Sequence, residues 1–153
     1  MRRAKQYGHA MLELALSAGV MVACLSGTFQ FGYTFYVYNA LVTAVGNGGR
    51  YAAVRTYRAA TEQDVRKGSD AIRNMVVYGD SRPAPGAVPV VPGLTPQQVR
   101  VEWTYGAAGS PEAVSVTVEQ YRVDALLGEF NFTGRPGVEF PFVGKYAPAE
   151  SEP

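Results

Sequence analysis

Residues 14–49 contain no Asp, Glu, Lys or Arg, an uncharged run of 36 positions in a chain of 153. The remaining residues from Arg50 onward carry 23 of the chain's charges in 104 positions, so the low overall charged fraction of 18% is a local deficit and not a general one. Such a chain is built for two solvents. Residues 14–36 form 23 uncharged, mostly apolar positions, and a helix of that length at about 1.5 Å per residue covers the roughly 30 Å hydrocarbon core of a bilayer once. Arg2, Arg3 and Lys5 precede the run and the next positive charge is Arg50, so the excess of basic residues sets the N-terminus in the cytoplasm and the body of the chain outside. Phe29, Phe31, Tyr33, Phe35, Tyr36 and Tyr38 crowd the outer end, where amphipathic rings settle at headgroup level or serve a protein interface.

Composition narrows the function. A net charge of +1 supplies no basic stripe for nucleic acid, and 47% apolar residues exclude a disordered chain. One cysteine, Cys24, forbids an internal disulfide and a Cys-rich metal site. The single histidine, His9, sits beside the apolar run, so the rest of the chain has no Ser-His or Cys-His pair for nucleophilic catalysis. The glycines at 46, 48 and 49 lack the Lys-Ser/Thr of a phosphate loop. Glu102 and Glu119 can share a sheet face, as solvated strand acids commonly do. These absences point to a non-enzymatic protein with no cofactor, no metal and no small-molecule substrate.

Three processing schemes fit the N-terminus. The apolar run is long for a secretory signal core of about 7 to 15 residues. Met21-Val22-Ala23-Cys24 loosely matches a lipoprotein signal, but cleavage there would leave an apolar aromatic stretch as a soluble terminus. The third scheme uses a short basic leader ending at Gly8, with Glu13 five residues after it and the apolar run directly behind. This arrangement resembles a type IV prepilin leader, and the resemblance implies cleavage by a prepilin peptidase between Gly8 and His9. The new α-amino group would then lie one helical turn from Glu13 with the opposite charge. Resemblance to pilins also implies that Glu13 meets the amine of a neighbouring subunit and fixes axial register. The plainer alternative is a glutamate that snorkels to the headgroups from the rim of the span. Ala15, Gly19, Ala23 and Gly27 recur every four residues as a small-residue stripe of the kind that lets helices approach closely in lipid.

Beyond the span, Phe31-Gly32-Tyr33, Tyr38-Asn39-Ala40-Leu41 and Arg50-Tyr51-Ala52-Ala53 follow in order. In that order the motifs resemble the TadE-like family of small pilus-assembly proteins, over about a third of the chain from Gly8 to Val54. The resemblance implies a minor pilin, or pseudopilin, of a Tad-type pilus. Its partners would be the prepilin peptidase, other pilin-like subunits and inner-membrane lipid. The major pilin of such systems is much shorter and places a Tyr after the Glu, where this chain has Leu14. The departure from the family pattern is Gly46-Asn47-Gly48-Gly49: each Gly costs a helix about 1 kcal/mol relative to Ala, which predicts a bend or break at 46–49. An alternative from another class is an unprocessed single-pass anchor carrying a periplasmic binding module.

The expected fold is α+β and pilin-like. Residues 1–8 are the leader and 9–60 the N-terminal helix; 61–146 are the periplasmic head and 147–153 a mobile tail. Thr61 reads as the cap of an amphipathic second helix from Glu62 to Tyr78, with Val65, Ile72, Met75 and Val76 on one face. Its basic residues make a solvated face, or one lying near anionic headgroups. Residues 81–96, with five prolines, read as an extended connector. Val99, Val101, Trp103 and Tyr105 alternate as a half-buried strand, and Val114, Val116 and Val118 as a second. The parity changes by Tyr121, which predicts a bulge or end near Gln120. Phe130 and Phe132, the turn Gly134-Arg135-Pro136-Gly137, then Val138, Phe140 and Phe142 predict a closing hairpin in a small antiparallel sheet.

Overall fold

The computed structural model describes residues 3–58, 62–107, 110–125 and 128–147. Met1 and Arg2 of the leader, the Thr61 cap and the tail from residue 148 lie outside them. The architecture is α+β, with a long apolar helix, a second helix and small antiparallel sheets. Helix α1 (Arg3–Val54, 52 residues) is about 78 Å long and α2 (Glu62–Tyr78) packs against it. Strands β2 (Val99–Tyr105), β3 (Pro111–Val118) and β6 (Gly137–Pro141) form a three-stranded antiparallel sheet in the order β2-β3-β6. Strands β4 (Tyr121–Ala125) and β5 (Gly128–Phe132) form a separate hairpin.

Only the outer part of α1 belongs to the core. Val37, Leu41, Ala44, Val45, Ala52 and Ala53 are buried on one face, and Ile72, Val76 and Val77 of α2 close on them from the side. The sheet supplies rows across its strands: Trp103, Val114 and Phe140 in one row, Val101, Val116 and Val138 in the next. Alternation along β2 and β3 produces this face because successive side chains point to opposite sides of a pleated strand.

The expected bend or break at 46–49 is not present, since α1 is one helix through all three glycines. The reason is close approach and not flexibility. A Cβ on Gly48 would run into the Val76 side chain of α2, and one on Gly49 would lie 2.8 Å from Phe140 Cδ2 and 2.9 Å from Val138 Cγ2. Their lack of side chains lets α2 and β6 touch the helix backbone, and that packing offsets their low helix propensity. Gly46 has open space around it.

Two other expectations are corrected. The hairpin predicted around Gly134-Arg135-Pro136-Gly137 does not form: β5 pairs with β4, and β6 pairs with β3. Val118 N–H donates to Pro136 O, which holds the returning chain at the end of β3 and directs β6 along that strand's free edge. The proline-rich connector is also more than a spacer, because Val91 and Leu94 are fully buried in the core. It is tied down by Val90 N–H to Val77 O and by the Tyr121 hydroxyl to Pro92 O at 2.7 Å. The strand end expected near Gln120 is observed: β3 stops at Val118, β4 starts at Tyr121, and Gln120 between them has φ 55°.

The chain's last described strand, β7 (Tyr146–Ala147), pairs in parallel with β1 (Tyr57–Arg58), a pairing for which the sequence offers no alternation signal. Val143 N–H donates to Ala53 O and Tyr57 N–H to Lys145 O, so this strap satisfies a carbonyl at the end of α1.

Candidate functional site

The inner part of α1 is left uncovered by the described residues of the head. From Gly8 to Phe29 every residue is exposed except Ser26 and Gly27, which are half-exposed. The helix is long and apolar enough to cross a membrane: its apolar window has a mean hydropathy of 1.7, and none of it is buried. An apolar helix that no protein atom covers fits a membrane anchor.

Gly8 and His9 stand exposed within the continuous helix, near its start. Glu13 is the only Asp, Glu, Lys or Arg between Gly8 and Phe29, and the neighbouring side chains Met11, Leu12, Leu14 and Leu16 are all exposed and apolar. The carboxylate is therefore carried on an otherwise apolar cylinder. Ala15, Gly19 and Ala23 are exposed and Gly27 half-exposed, and a Cβ built on Gly19 or Gly27 meets nothing within 4 Å. The contrast with Gly48 and Gly49 is informative, because nothing among the described residues requires small residues at 19 and 27.

The head holds two arrangements to weigh against this. Glu102 and Glu119 do come together, but Arg100 sits between them, at 2.6 Å from Glu102 Oε1 and 3.1 Å from Glu119 Oε1. The hydrogen bonds to Glu102 and then Glu119 hold the Arg100 guanidinium above its ordinary pKa. A carboxylate pair bridged by a cation in solvent is an ion-pair cluster and not an acid/base pair. Among the described residues no three His, Cys, Asp or Glu side chains gather as a metal site, and Cys24 is an exposed thiol on the apolar helix.

The second arrangement, which sequence patterning misses, is an aromatic cluster at the far end of α1. Tyr57 packs on Trp103, with ring centroids 4.5 Å apart, and on Tyr146 at 6.1 Å; its hydroxyl lies 2.6 Å from that of Tyr105. Burial, then the Tyr105 hydrogen bond, pushes the Tyr57 hydroxyl far above its usual pKa. Beside the cluster lies a cavity of about 370 Å³ lined by Tyr51, Arg55, Lys67, Ser69 and Trp103, among others. Arg55 is engaged there, donating to Gly68 O at 3.0 Å and lying over the Tyr51 ring. Tyr57 and Tyr146 are brought together from opposite ends of the head, so no local spacing could reveal them.

The family model described as TadE-like protein matches residues 8–50, the stretch that holds Gly8, Glu13, the small-residue stripe and the glycines that receive the head. No curated protein and no solved structure matches the chain. The uncovered apolar helix, its lone carboxylate and the motifs Phe31-Gly32-Tyr33 and Tyr38-Asn39-Ala40-Leu41 fall within the matched segment, Arg50-Tyr51-Ala52-Ala53 begins at its last residue, and over residues 8–50 this chain is similar to the TadE-like family.

Proposed function

We propose that this Tad-pilus-associated protein is a minor pilin, or pseudopilin: a structural, non-catalytic subunit inserted in the bacterial inner membrane by α1, with its head on the periplasmic side. A prepilin peptidase cuts between Gly8 and His9, and the mature chain assembles with other pilin-like subunits through the exposed part of α1. The observation that carries this reading is the uncovered, mostly apolar helix from Gly8 to Phe29, in which Glu13 is the one Asp, Glu, Lys or Arg. Lipid can cover such a surface before assembly and neighbouring helices afterwards. Glu13 then pairs with the new amine of a neighbouring chain, and Ala15, Gly19, Ala23 and Gly27 admit the neighbouring backbone.

The stripe is testable on its own. Gly19→Leu and Gly27→Leu keep the helix and make the span more apolar, so both variants should insert normally, yet co-purify with partner subunits at least several-fold less than the unaltered chain. Co-purification at the original level would remove the stripe from the mechanism.

A second reading, an unprocessed anchor carrying a binding module, is favoured by the cavity beside Tyr57, where the buried Trp103 Nε1–H has no acceptor. The two readings differ at the leader. Intact mass of the membrane-extracted protein, from cells with and without the peptidase, separates a chain that begins at His9 from one that begins at Met1.

A further inference from the structure

Where α1 enters the head, apolar side chains from three elements surround it. Gln30 is the first residue of the helix that the head buries, at 5% exposed, and Val37 and Leu41 follow on the same face. The other faces remain open: Phe31 is 60% exposed, Phe35 66% and Tyr36 69%. On one flank Phe31, Thr34, Phe35 and Tyr38 line an apolar cavity of about 280 Å³ with Phe132 of β5, whose ring centroid is 5.6 Å from that of Tyr38. On another, Tyr36 and Ala40 share a cavity of about 410 Å³ with Met75 of α2 and Val90 of the connector. Phe130 and Val90 are themselves exposed. Tyr121, at the start of β4, is buried in the core and its hydroxyl donates to Pro92 O, which ties the hairpin to the connector.

The sequence adds an independent sign. Between Gln30 and Val42 every exposed large hydrophobic side chain of α1 is aromatic: Phe31, Tyr33, Phe35 and Tyr36. A head surrounded by water would not be expected to gather exposed aromatic and aliphatic side chains at one end, because contiguous patches of that kind mark contact surfaces.

The helix itself identifies the occupant. The side of α1 covered by the head from Gln30 outward is closed to lipid, which leaves Gly8 to Phe29 for the bilayer. Those 22 residues measure about 33 Å, a match to the roughly 30 Å hydrocarbon core. The apolar ring at residues 31–36 is therefore continuous with the membrane-spanning surface and falls at the depth where aromatic rings settle.

We infer that the base of the head is a lipid-docking collar: Phe31, Phe35 and Tyr36 of α1, Val90 of the connector and Phe130 and Phe132 of β5 seat in the interfacial region of the outer leaflet. The inference rests on the membrane-anchored reading and deepens it. The head lies on the bilayer instead of standing above it on a free length of helix, and the span falls within Gly8 to Phe29 instead of 14–36. Counting about 20 residues inward from Gln30 places the inner edge near Ala10, so Glu13 lies about 5 Å inside the hydrocarbon. At that depth the carboxylate depends on a partner charge more strongly than at the rim.

The test uses the full chain in vesicles of phosphatidylethanolamine and phosphatidylglycerol, carrying a nitroxide quencher either near the headgroups or deep in the acyl chains. In a Cys24→Ser background, single cysteines replace Gly19, Val90, Phe130 or Thr104, each labelled with a fluorophore. Thr104 is exposed on β2 in the row beside the Tyr57 cluster, at the far end of the head. The label at Gly19 should be quenched by the deep nitroxide. Labels at Val90 and Phe130 should be quenched by the shallow one at least twofold more than the label at Thr104. Val90→Cys guards against a Phe130→Cys variant that perturbs the hairpin. If Gly19 is quenched while Val90 and Phe130 behave like Thr104, the head stands clear of lipid and the collar is overturned, leaving that surface to a protein partner. If the label at Gly19 is not quenched, the membrane-anchored reading itself fails and takes the collar with it.

Discussion

Glu13→Gln should leave cleavage after Gly8 intact and reduce recovery of the protein with its partner subunits by tenfold or more. The substitution preserves length and shape, removes the charge and exchanges one acceptor oxygen for an amide donor. On an uncovered helix whose other residues from Gly8 to Phe29 carry no Asp, Glu, Lys or Arg, that charge is costly in hydrocarbon, about 2.5 to 3.5 kcal/mol at the centre of a span and less near the edge. The cost makes an unpaired Glu13 unfavourable in the membrane and a paired one favourable in an assembly. An amine freed at His9 is positive near neutral pH, and four residues of helix separate it from Glu13 along the axis by about 6 Å. A tenfold loss corresponds to about 1.4 kcal/mol, well within what removal of one partner from a poorly solvated charge pair costs. Cleavage is unaffected because the scissile bond lies a full turn away. Assembly at the original level would mean that helix shape alone sets the register. Processed but unassembled protein is the expected outcome, read as mature-length chain in the membrane fraction and its loss from partner pull-downs.

The second large effect is in the head. Gly48→Ala should destabilise the protein by about 2 kcal/mol or more, while Gly46→Ala should stabilise it by up to about 1 kcal/mol. Both changes raise helix propensity equally. They differ in what the added carbon meets: at 48 it runs into the Val76 side chain, with Ile72 O 3.6 Å away, and at 46 it meets open space. The Val76 methyl is held in a fully buried position, so it cannot move aside without opening the α1–α2 contact. For a head of about 100 residues, 2 kcal/mol corresponds to a fall in Tm of roughly 8 to 16 °C. Thermal unfolding of the detergent-solubilised chain, followed by circular dichroism, measures both variants. Equal stabilisation at the two sites would indicate a flexible joint at 46–49 and would contradict the packing seen in the structure.

These glycines show how far the sequence could be read. Their propensity cost is visible in the residue types, and so the expectation was a bend. Their benefit lies in Val76 and Phe140, which come from other parts of the chain. A partial signal was present, since 48 and 52 extend the buried helical face of 37, 41 and 45, and a glycine in line with core positions signals close approach more than weakness. Local periodicity sufficed for α2, for β2 and for the end of β3 before Gln120, because each is decided by the pattern of its own side chains. It could not choose partners: Phe130 and Val138 have equivalent alternation, yet one strand joins β4 and the other β3. Burial of Val91 and Leu94 was hidden by the prolines around them, which exclude regular structure but not packing. For the candidate site the division is similar. Gly8, Glu13 and the stripe are proposed from local patterns in an unusual background, while the proposed collar around Gln30 depends on where a distant hairpin and connector come to rest.

A processed, helix-assembled pilin-like subunit, as proposed for this chain, carries a covalent mark of its first step. Intact mass of the membrane-extracted protein should show a chain beginning at His9 when the prepilin peptidase is present and at Met1 when it is absent. A chain beginning at Met1 in both cases would contradict the account.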